Sequence, residues 1–407
     1  MKKNHLLGLD IAQLSAVAQL EAADGSPCWS GTLRTDQTGW QQLEGLLRER
    51  HLDFGAVTVL IEATGVYHLP WAQKLSAAGA EVYVLNPLLA AKLESVANAL
   101  RGHKTDRVDV AKLCEVGRLH QEALARFRYR PDPARQGLRE LDHARAKLRQ
   151  ALTNLKKSLR SHLELVFPAL LVAKINPGTQ QAARILQAAP TAGAWGELPL
   201  RQRRELAGAK AAALDEACGR TLADEALATA CVPALRVLLQ AQQAMAAQLA
   251  ACQAAIQPRL PAGRVALIRS LPGFGERTAA VMATYLPADF AGWGPRKKIT
   301  SRVQAFFGCD PRLRQSGQWT GKVKMSKRGI GAARTALFQA AFCSLETDPE
   351  NAAYYQTLRR GGPNHPPKGH KAAMVDLMRK QLRRLVAVLC SGQPFIARWQ
   401  PQRITAA

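Results

Sequence analysis

Two carboxylates stand three residues apart in Arg101-Gly102-His103-Lys104-Thr105-Asp106-Arg107-Val108-Asp109. On a helix, positions i and i+3 share a face, with Cβ atoms about 5–6 Å apart. Arg101, His103 and Lys104 precede the pair. Acids held together in a basic setting can bind a divalent cation beside a phosphate. The same residues can equally open a solvated helix, where the N-terminal dipole favours them without any ligand. Two further acids sit where strands end. Asp10 lies within the apolar run His5 to Ile11, and Glu62 closes the continuous run Ala56 to Ile61. Acids at the ends of buried strands are costly unless they are paired or bound to a metal.

A different chemistry is concentrated near the other end. Arg312, Arg314, Lys322, Lys324, Lys327 and Arg328 surround Ser316 and Ser326 in a Gly-rich segment running from Phe307 to Gly329. A serine flanked by cations could attack a phosphodiester, because the cations stabilise the charge gained in the transition state. A Ser-Gly pair is also an ordinary turn. Upstream, Leu271-Pro272-Gly273-Phe274-Gly275 looks like the hairpin of a helix-hairpin-helix module. Gly273 and Gly275 would let backbone N–H groups approach a phosphate at the next helix N-terminus. An ordinary Gly-rich helix connection reads the same way.

These residues need a scaffold. The first 125 residues read as α/β. Strands are expected at His5–Ile11, Ser15–Leu20, Cys28–Thr35, Ala56–Ile61 and Glu81–Leu85, and helices at Thr38–Arg50, Leu69–Ala78, near Leu88 and at Thr105–His120. Three meander strands followed by alternating helices and strands match the ribonuclease H topology. All four acids then fall where that topology places catalysis. Residues 126–262 read as a helical, coiled-coil linker region. A long basic helix spans Ala134 to Val166, with Leu138, Leu141, Leu148, Leu152, Leu155 and Leu159 at helical spacing. A second helix, opened by Pro233, spans Ala234 to Ile256. Residues 263–407 read as a mostly helical C-terminal domain, with helices at Ala332–Leu345 and Ala372–Leu389.

The charge narrows the partners. Lys and Arg number 56 against 31 Asp and Glu, a formal net charge of +25. A chain this basic binds a polyanion, most often nucleic acid. Aromatics make up 6% of residues, so phosphate contact should dominate over base stacking. The eight cysteines form no CxxC pair, and none has a His at zinc-finger spacing. No signal peptide or membrane span is expected, which places the protein in the cytoplasm. No GxxxxGK[ST] phosphate loop occurs.

The chain resembles the DEDD transposases of the insertion-sequence one-ten family, relatives of the Piv site-specific DNA invertases. The matching residues are Gly8-Leu9-Asp10, Ile61 to Tyr67, Asn86-Pro87, Lys104 to Asp109, Leu271 to Gly275, Ser316-Gly317 and Ser326 to Gly329, in the family's order. The resemblance implies a RuvC-like N-terminal domain joined by a coiled coil to a transposase domain. It implies that Asp10, Glu62, Asp106 and Asp109 hold Mg²⁺ or Mn²⁺, and that Ser316 is the nucleophile. It also implies donor and target DNA as substrates, an element-encoded structured guide RNA, and a dimer or tetramer in which one subunit's acids meet another's serine. Lys104, Gly273, Gly275, Arg312, Arg314, Lys327 and Arg328 are the expected nucleic-acid contacts. Two departures stand out: Val110 replaces a small residue after the last acid, and the stretch from Gly178 to Pro261 is long and Ala-rich. The competing functions are a Piv-type invertase, a RuvC-like junction nuclease that uses water as nucleophile, and a non-catalytic binding protein on a decayed ribonuclease H fold.

Overall fold

The computed structural model describes residues 5–63, 65–87, 106–119, 124, 127–222, 224–312, 315–316, 319–320, 324–362 and 366–397, with 296–297, 315–316 and 319–320 as backbone only. The chain forms two compact units, Met1–Pro133 and Ala134–Ala407.

The first unit is built on a five-stranded mixed sheet. Its strands are β1 (His5–Ile11), β2 (Ser15–Glu21), β3 (Pro27–Arg34), β4 (Val57–Glu62) and β5 (Glu81–Leu85), in the order β3-β2-β1-β4-β5. The meander pairs antiparallel, whereas β1, β4 and β5 run parallel. This order and sense are consistent with a ribonuclease H-like domain. Helices α1 (Gln37–Glu49) and α2 (His68–Ala77) cover one face, and α3 (Asp106–Leu119) covers the other.

Side-chain alternation explains the layering. Leu7, Leu9 and Ile11, with Val57, Val59 and Ile61, pack against Trp40, Leu43 and Leu47 of α1 and Trp71 and Leu75 of α2. Leu6 and Leu60 face the other way, onto Leu113 and Val116 of α3. Because β4 is covered on both faces, its sequence is a continuous apolar run rather than an alternating one. The residues expected to be a linker also finish the sheet edge. Tyr83 of β5 bridges to Arg128, and Tyr129 N–H donates to Val82 O at 2.7 Å. The helix expected near Leu88 lies outside the described residues.

In the second unit, two long helices run antiparallel. They are α4 (Pro133–Val166) and, after the short helices α5 (Pro168–Val172), α6 (Gln180–Ala188), α7 (Ala192–Glu197), α8 (Leu200–Ala207) and α9 (Ala211–Arg220), α10 (Glu225–Ile256). Two contacts fix the direction. Cys252 Sγ donates to Leu141 O at 3.3 Å, and His162 Nε2 lies 3.2 Å from Cys231 O. The short helices form a cap with its own core, centred on Phe167, Leu170, Trp195 and Leu214. The expected start at Pro233 is corrected: α10 begins eight residues earlier and carries Pro233 inside it. Asp224 supplies the cap, its carboxylate accepting Leu227 N–H at 3.0 Å. A proline there removes one backbone bond and leaves the Thr229 carbonyl without its helical donor. The cap and the packed Ala- and Leu-rich sequence on either side hold the helix together.

The rest of the unit is a helical bundle. It contains α11 (Ala262–Arg269), α12 (Glu276–Tyr285), α13 (Arg296–Phe306), α14 (Gly331–Thr347), α15 (Pro349–Arg360) and α16 (His370–Ser391), around Met282, Phe307, Leu337, Met374 and Leu382. Between α13 and α14 the basic segment adopts short strands, which its composition did not announce. β6 (Pro311–Arg312) pairs with β9 (Lys324–Met325), and β7 (Gln315–Ser316) pairs with β8 (Trp319–Thr320). Among the described residues, no helix is long and apolar enough to cross a membrane.

Candidate functional site

Asp10 and Glu62 occupy equivalent places on adjacent parallel strands. Leu9 pairs with Ile61, so each acid stands one residue beyond that rung. The strands are about 4.8 Å apart. Both acids fall in the alternation that faces α3, on the same side as Leu6 and Leu60. Both are half-buried.

The position of α3 is set by Gly8. A Cβ on Gly8 would stand 2.8 Å from Val110 O and 2.9 Å from Cys114 Sγ, so the helix backbone rests on the strand. From Val110 the helix runs back along β1. Gly117 packs on Leu60 and Leu6, and Arg118 forms an ion pair with the buried Glu21. Its first turn therefore lies at the C-terminal end of β1 and β4. Asp106 and Asp109 are the acids of that turn. Four carboxylates thus share one end of one sheet face, where ligands of parallel sheets bind.

Asp109 is half-buried and paired with Lys112, whose Nζ lies 2.8 Å from Oδ1, whereas Asp106 is exposed. Among the described residues, no three His, Cys, Asp or Glu side chains are drawn together closely enough to hold an ion. The donor set nevertheless suits one class of ion. Carboxylate oxygens are the ligands of Mg²⁺ and Mn²⁺, whereas zinc favours thiol and imidazole donors. Cys114, on the face of α3 that meets Gly8, is fully buried, and burial, reinforced by the charge of Glu21, pushes its thiol up to about 12.

The C-terminal candidates divide. Ser316 lies in β7, in register with Trp319 of β8. Arg312 is exposed in β6. Lys327 has φ +56, a left-handed conformation unusual for a residue with a side chain, and Arg328 beside it is exposed. Ser326 is engaged: its hydroxyl donates to Asp310 Oδ1, and its N–H donates to Asp310 O at 2.9 Å. Lys104 and Arg314 lie outside the described residues.

The Leu271–Gly275 connection does join two helices, α11 and α12. Its glycines differ. Gly273 has φ +80, and a Cβ there would stand 2.0 Å from Ala340 O of α14. Gly275 caps α12 with open space around it, and Glu276 follows as the first helical residue. Gly273 is therefore shaped by packing, and Gly275 is the position left accessible to a phosphate.

Several participants were not singled out from sequence. Lys112 is legible in hindsight as the i+3 partner of Asp109. Asp310 lies sixteen residues from Ser326 with no periodicity linking them. Asp142 is a third case: this acid on the long helix accepts a hydrogen bond from Tyr285 at 3.0 Å and is paired with Arg145.

Comparison with known proteins adds to this geometry. Residues 7–168 match the IS110-type DEDD transposase model, a span that contains all four acids. Residues 265–356 match the model described as transposase, IS116/IS110/IS902 family, a span that contains Ser316 and Ser326. The chain belongs to the IS110 transposase family. The uncharacterized 43.6 kDa protein of insertion element IS110 from Streptomyces coelicolor is 28% identical over 126 residues, covering 31% of this chain and 29% of that protein. The uncharacterized 42 kDa protein of insertion element IS900 from Mycobacterium paratuberculosis is 30% identical over 123 residues, covering 30% of this chain and 29% of its own. The chain thus spans less than a third of the length of these two relatives. Neither family match includes residues 169–264, which hold nearly all of the cap and the whole of α10.

Proposed function

We propose that this chain is a DNA transposase that cuts and rejoins strands through Ser316, assisted by a four-carboxylate metal site. One observation carries the reading: Asp10 and Glu62 end adjacent parallel strands beneath the helix turn that bears Asp106 and Asp109. The match of both terminal segments to transposase family models supports it.

Asp10, Glu62, Asp106 and Asp109 would hold Mg²⁺ or Mn²⁺, and Lys112 would release Asp109 as they do. An ion bound there supplies positive charge to the oxygens of a scissile phosphate. The Ser316 hydroxyl attacks phosphorus, forming an ester to one DNA end as a phosphorus–sugar oxygen bond breaks, and the released sugar oxygen takes up the proton that the serine loses. That ester conserves the bond for rejoining, so no nucleotide hydrolysis is required. Arg312, Arg314, Lys327 and Arg328 neutralise flanking phosphates. We infer further that donor and target DNA are brought together by an element-encoded structured RNA. In this reading the protein acts as a homo-oligomer, with the acids of one subunit serving the serine of another. The organisation into a RuvC-like part (1–125), a helical middle (126–262) and a transposase part (263–407) follows the same reading.

The test is covalent capture. Wild-type protein incubated with its element-end DNA and Mg²⁺ should yield a protein–DNA adduct, and Ser316→Ala should yield none while Ser326→Ala still does. Adducts from Ser316→Ala would overturn the nucleophile assignment. Hydrolysed ends without any adduct would favour a water-using nuclease. Sequencing the RNA that co-purifies with the protein tests guidance separately.

A further inference from the structure

The strands below Ser316 contain an arrangement that isolated chains avoid. In the β6–β9 ladder, Arg312 stands directly opposite Lys324. Opposed residues of an antiparallel pair project from the same face, with Cβ atoms about 4.5–5.5 Å apart, and like charges there destabilise the pairing. Both side chains are exposed. Among the described residues, no carboxylate forms an ion pair with Arg312, Lys324, Lys327 or Arg328. The nearest acid in sequence, Asp310, already accepts the Ser326 hydroxyl.

The ladder cannot relieve this by parting at its base. The 306–308 and 327–329 backbones are in direct contact: a Cβ on Gly308 would stand 2.5 Å from Gly329 N, and one on Gly329 would stand 2.1 Å from Phe306 O. Lys327 N–H donates to Gly308 O at 3.0 Å, and Arg334 donates to Phe307 O at 3.0 Å and to Gly329 O at 2.6 Å. The base is tied down while the next rung repels itself. A phosphodiester between the two side chains would accept hydrogen bonds from both and cancel the repulsion.

We propose that Arg312 and Lys324 form a clamp for a DNA phosphate, and that binding this phosphate completes the β6–β9 pairing that leads to Ser316. Arg312 lies four residues before Ser316, so the two are at most about 14 Å apart along an extended chain. At about 3.4 Å of rise per nucleotide, the clamped phosphate lies within roughly four nucleotides of the one that Ser316 attacks. DNA binding and the ordering of the Arg312–Lys324 rung are then one event. The inference rests on the transposase reading, and it adds Lys324 and the coupling between pairing and ligand.

Phosphate contacts carry no sequence information, so a short DNA duplex of arbitrary sequence is a sufficient probe. Backbone amide exchange at Arg312 and Lys324, the hydrogen-bonded pair two residues beyond Asp310 and Ser326, would be followed in the full-length protein, with DNA binding read separately by fluorescence anisotropy. Addition of DNA should slow exchange at these amides by about three- to tenfold. Arg312→Glu turns the repelling pair into an attracting one. It should slow the same amides without DNA, abolish any further slowing on DNA addition, and weaken DNA binding. DNA binding without slowing in the wild type would overturn the clamp and leave the transposase reading standing, whereas no DNA binding would overturn both. Slowing by a duplex RNA of equal length but not by DNA would overturn the assignment to DNA. Unchanged exchange in Arg312→Glu would show that the opposed charges do not govern the pairing.

Discussion

Gly8 lies directly beneath the Val110 carbonyl, where an added Cβ would stand 2.8 Å from that oxygen. This contact seats the acid-bearing helix on the sheet, and the obstacle is backbone rather than a side chain that can turn away. Gly8→Ala should therefore lift α3 and separate Asp106 and Asp109 from Asp10 and Glu62. Overpacking of this kind costs about 1–3 kcal/mol. The urea midpoint should fall accordingly, and strand cleavage should fall further than the fraction of folded protein does. An unchanged midpoint would show that the helix is not held by this strand.

The contrast between the two ends of the chain explains what could be read from sequence. β4 and β5 were legible because burial on both faces leaves almost wholly apolar runs, Val57 to Ile61 and Val82 to Leu85. The seating of α3 was not, because Gly8 gives no periodic signal and its partner is a backbone atom a hundred residues away. The strands around Ser316 were hidden for a different reason. Each is two residues long, their pairing is fixed by the Gly308–Gly329 contact, and their composition is that of a loop. Pro233 misled because proline usually opens a helix, yet a capped and well-packed helix tolerates one lost hydrogen bond.

The two glycines of the α11–α12 connection should separate packing from ligand contact. Gly273→Ala would force a side chain into a φ of +80 and against Ala340 O, at 2.0 Å. Strain and overpacking together should cost at least about 2 kcal/mol and lower the thermal midpoint. Gly275→Ala meets open space, so stability should change by less than about 1 kcal/mol. DNA affinity that falls in Gly275→Ala with the midpoint intact would identify a phosphate approach at the α12 N-terminus. Affinity unchanged there would leave the connection a structural turn.

Lys112 competes with any cation for Asp109, its ammonium lying 2.8 Å from the carboxylate with both side chains largely shielded from water. Lys112→Met keeps the aliphatic stem and removes the charge. The Mg²⁺ concentration giving half-maximal DNA cleavage should then drop several-fold, since a repelling cation and a competing ligand are lost at once. Asp106→Asn should instead abolish cleavage at every Mg²⁺ concentration while leaving DNA binding intact. A Lys112→Met protein with an unshifted Mg²⁺ curve would mean that Asp109 does not contact the ion.

Asp142 joins α4 to α12 through Tyr285 and is balanced by Arg145, whose Nε lies 3.1 Å from its carboxylate. Tyr285→Phe removes one donor from a buried carboxylate that keeps its cation, and should cost about 1–2 kcal/mol. Asp142→Ala leaves the Arg145 guanidinium shielded and uncompensated, and should cost more, about 3–5 kcal/mol. The pair also predicts a pH effect with a definite sign. Burial first, and then the charge and hydrogen bonding of Asp142, raise the Tyr285 phenol above its ordinary value of 10.0. A raised folded-state value means that the folded protein holds this proton more tightly than the unfolded chain does. Its contribution is complete below pH 10 and declines as pH rises beyond it. Buried thiols such as Cys309, pushed up to about 11, add to the same alkaline loss. The Tyr285 share is therefore read as a difference between proteins. Above pH 10, the stability gap between wild type and Tyr285→Phe should narrow, and a gap that stays constant would show that the phenol is not titrating against Asp142.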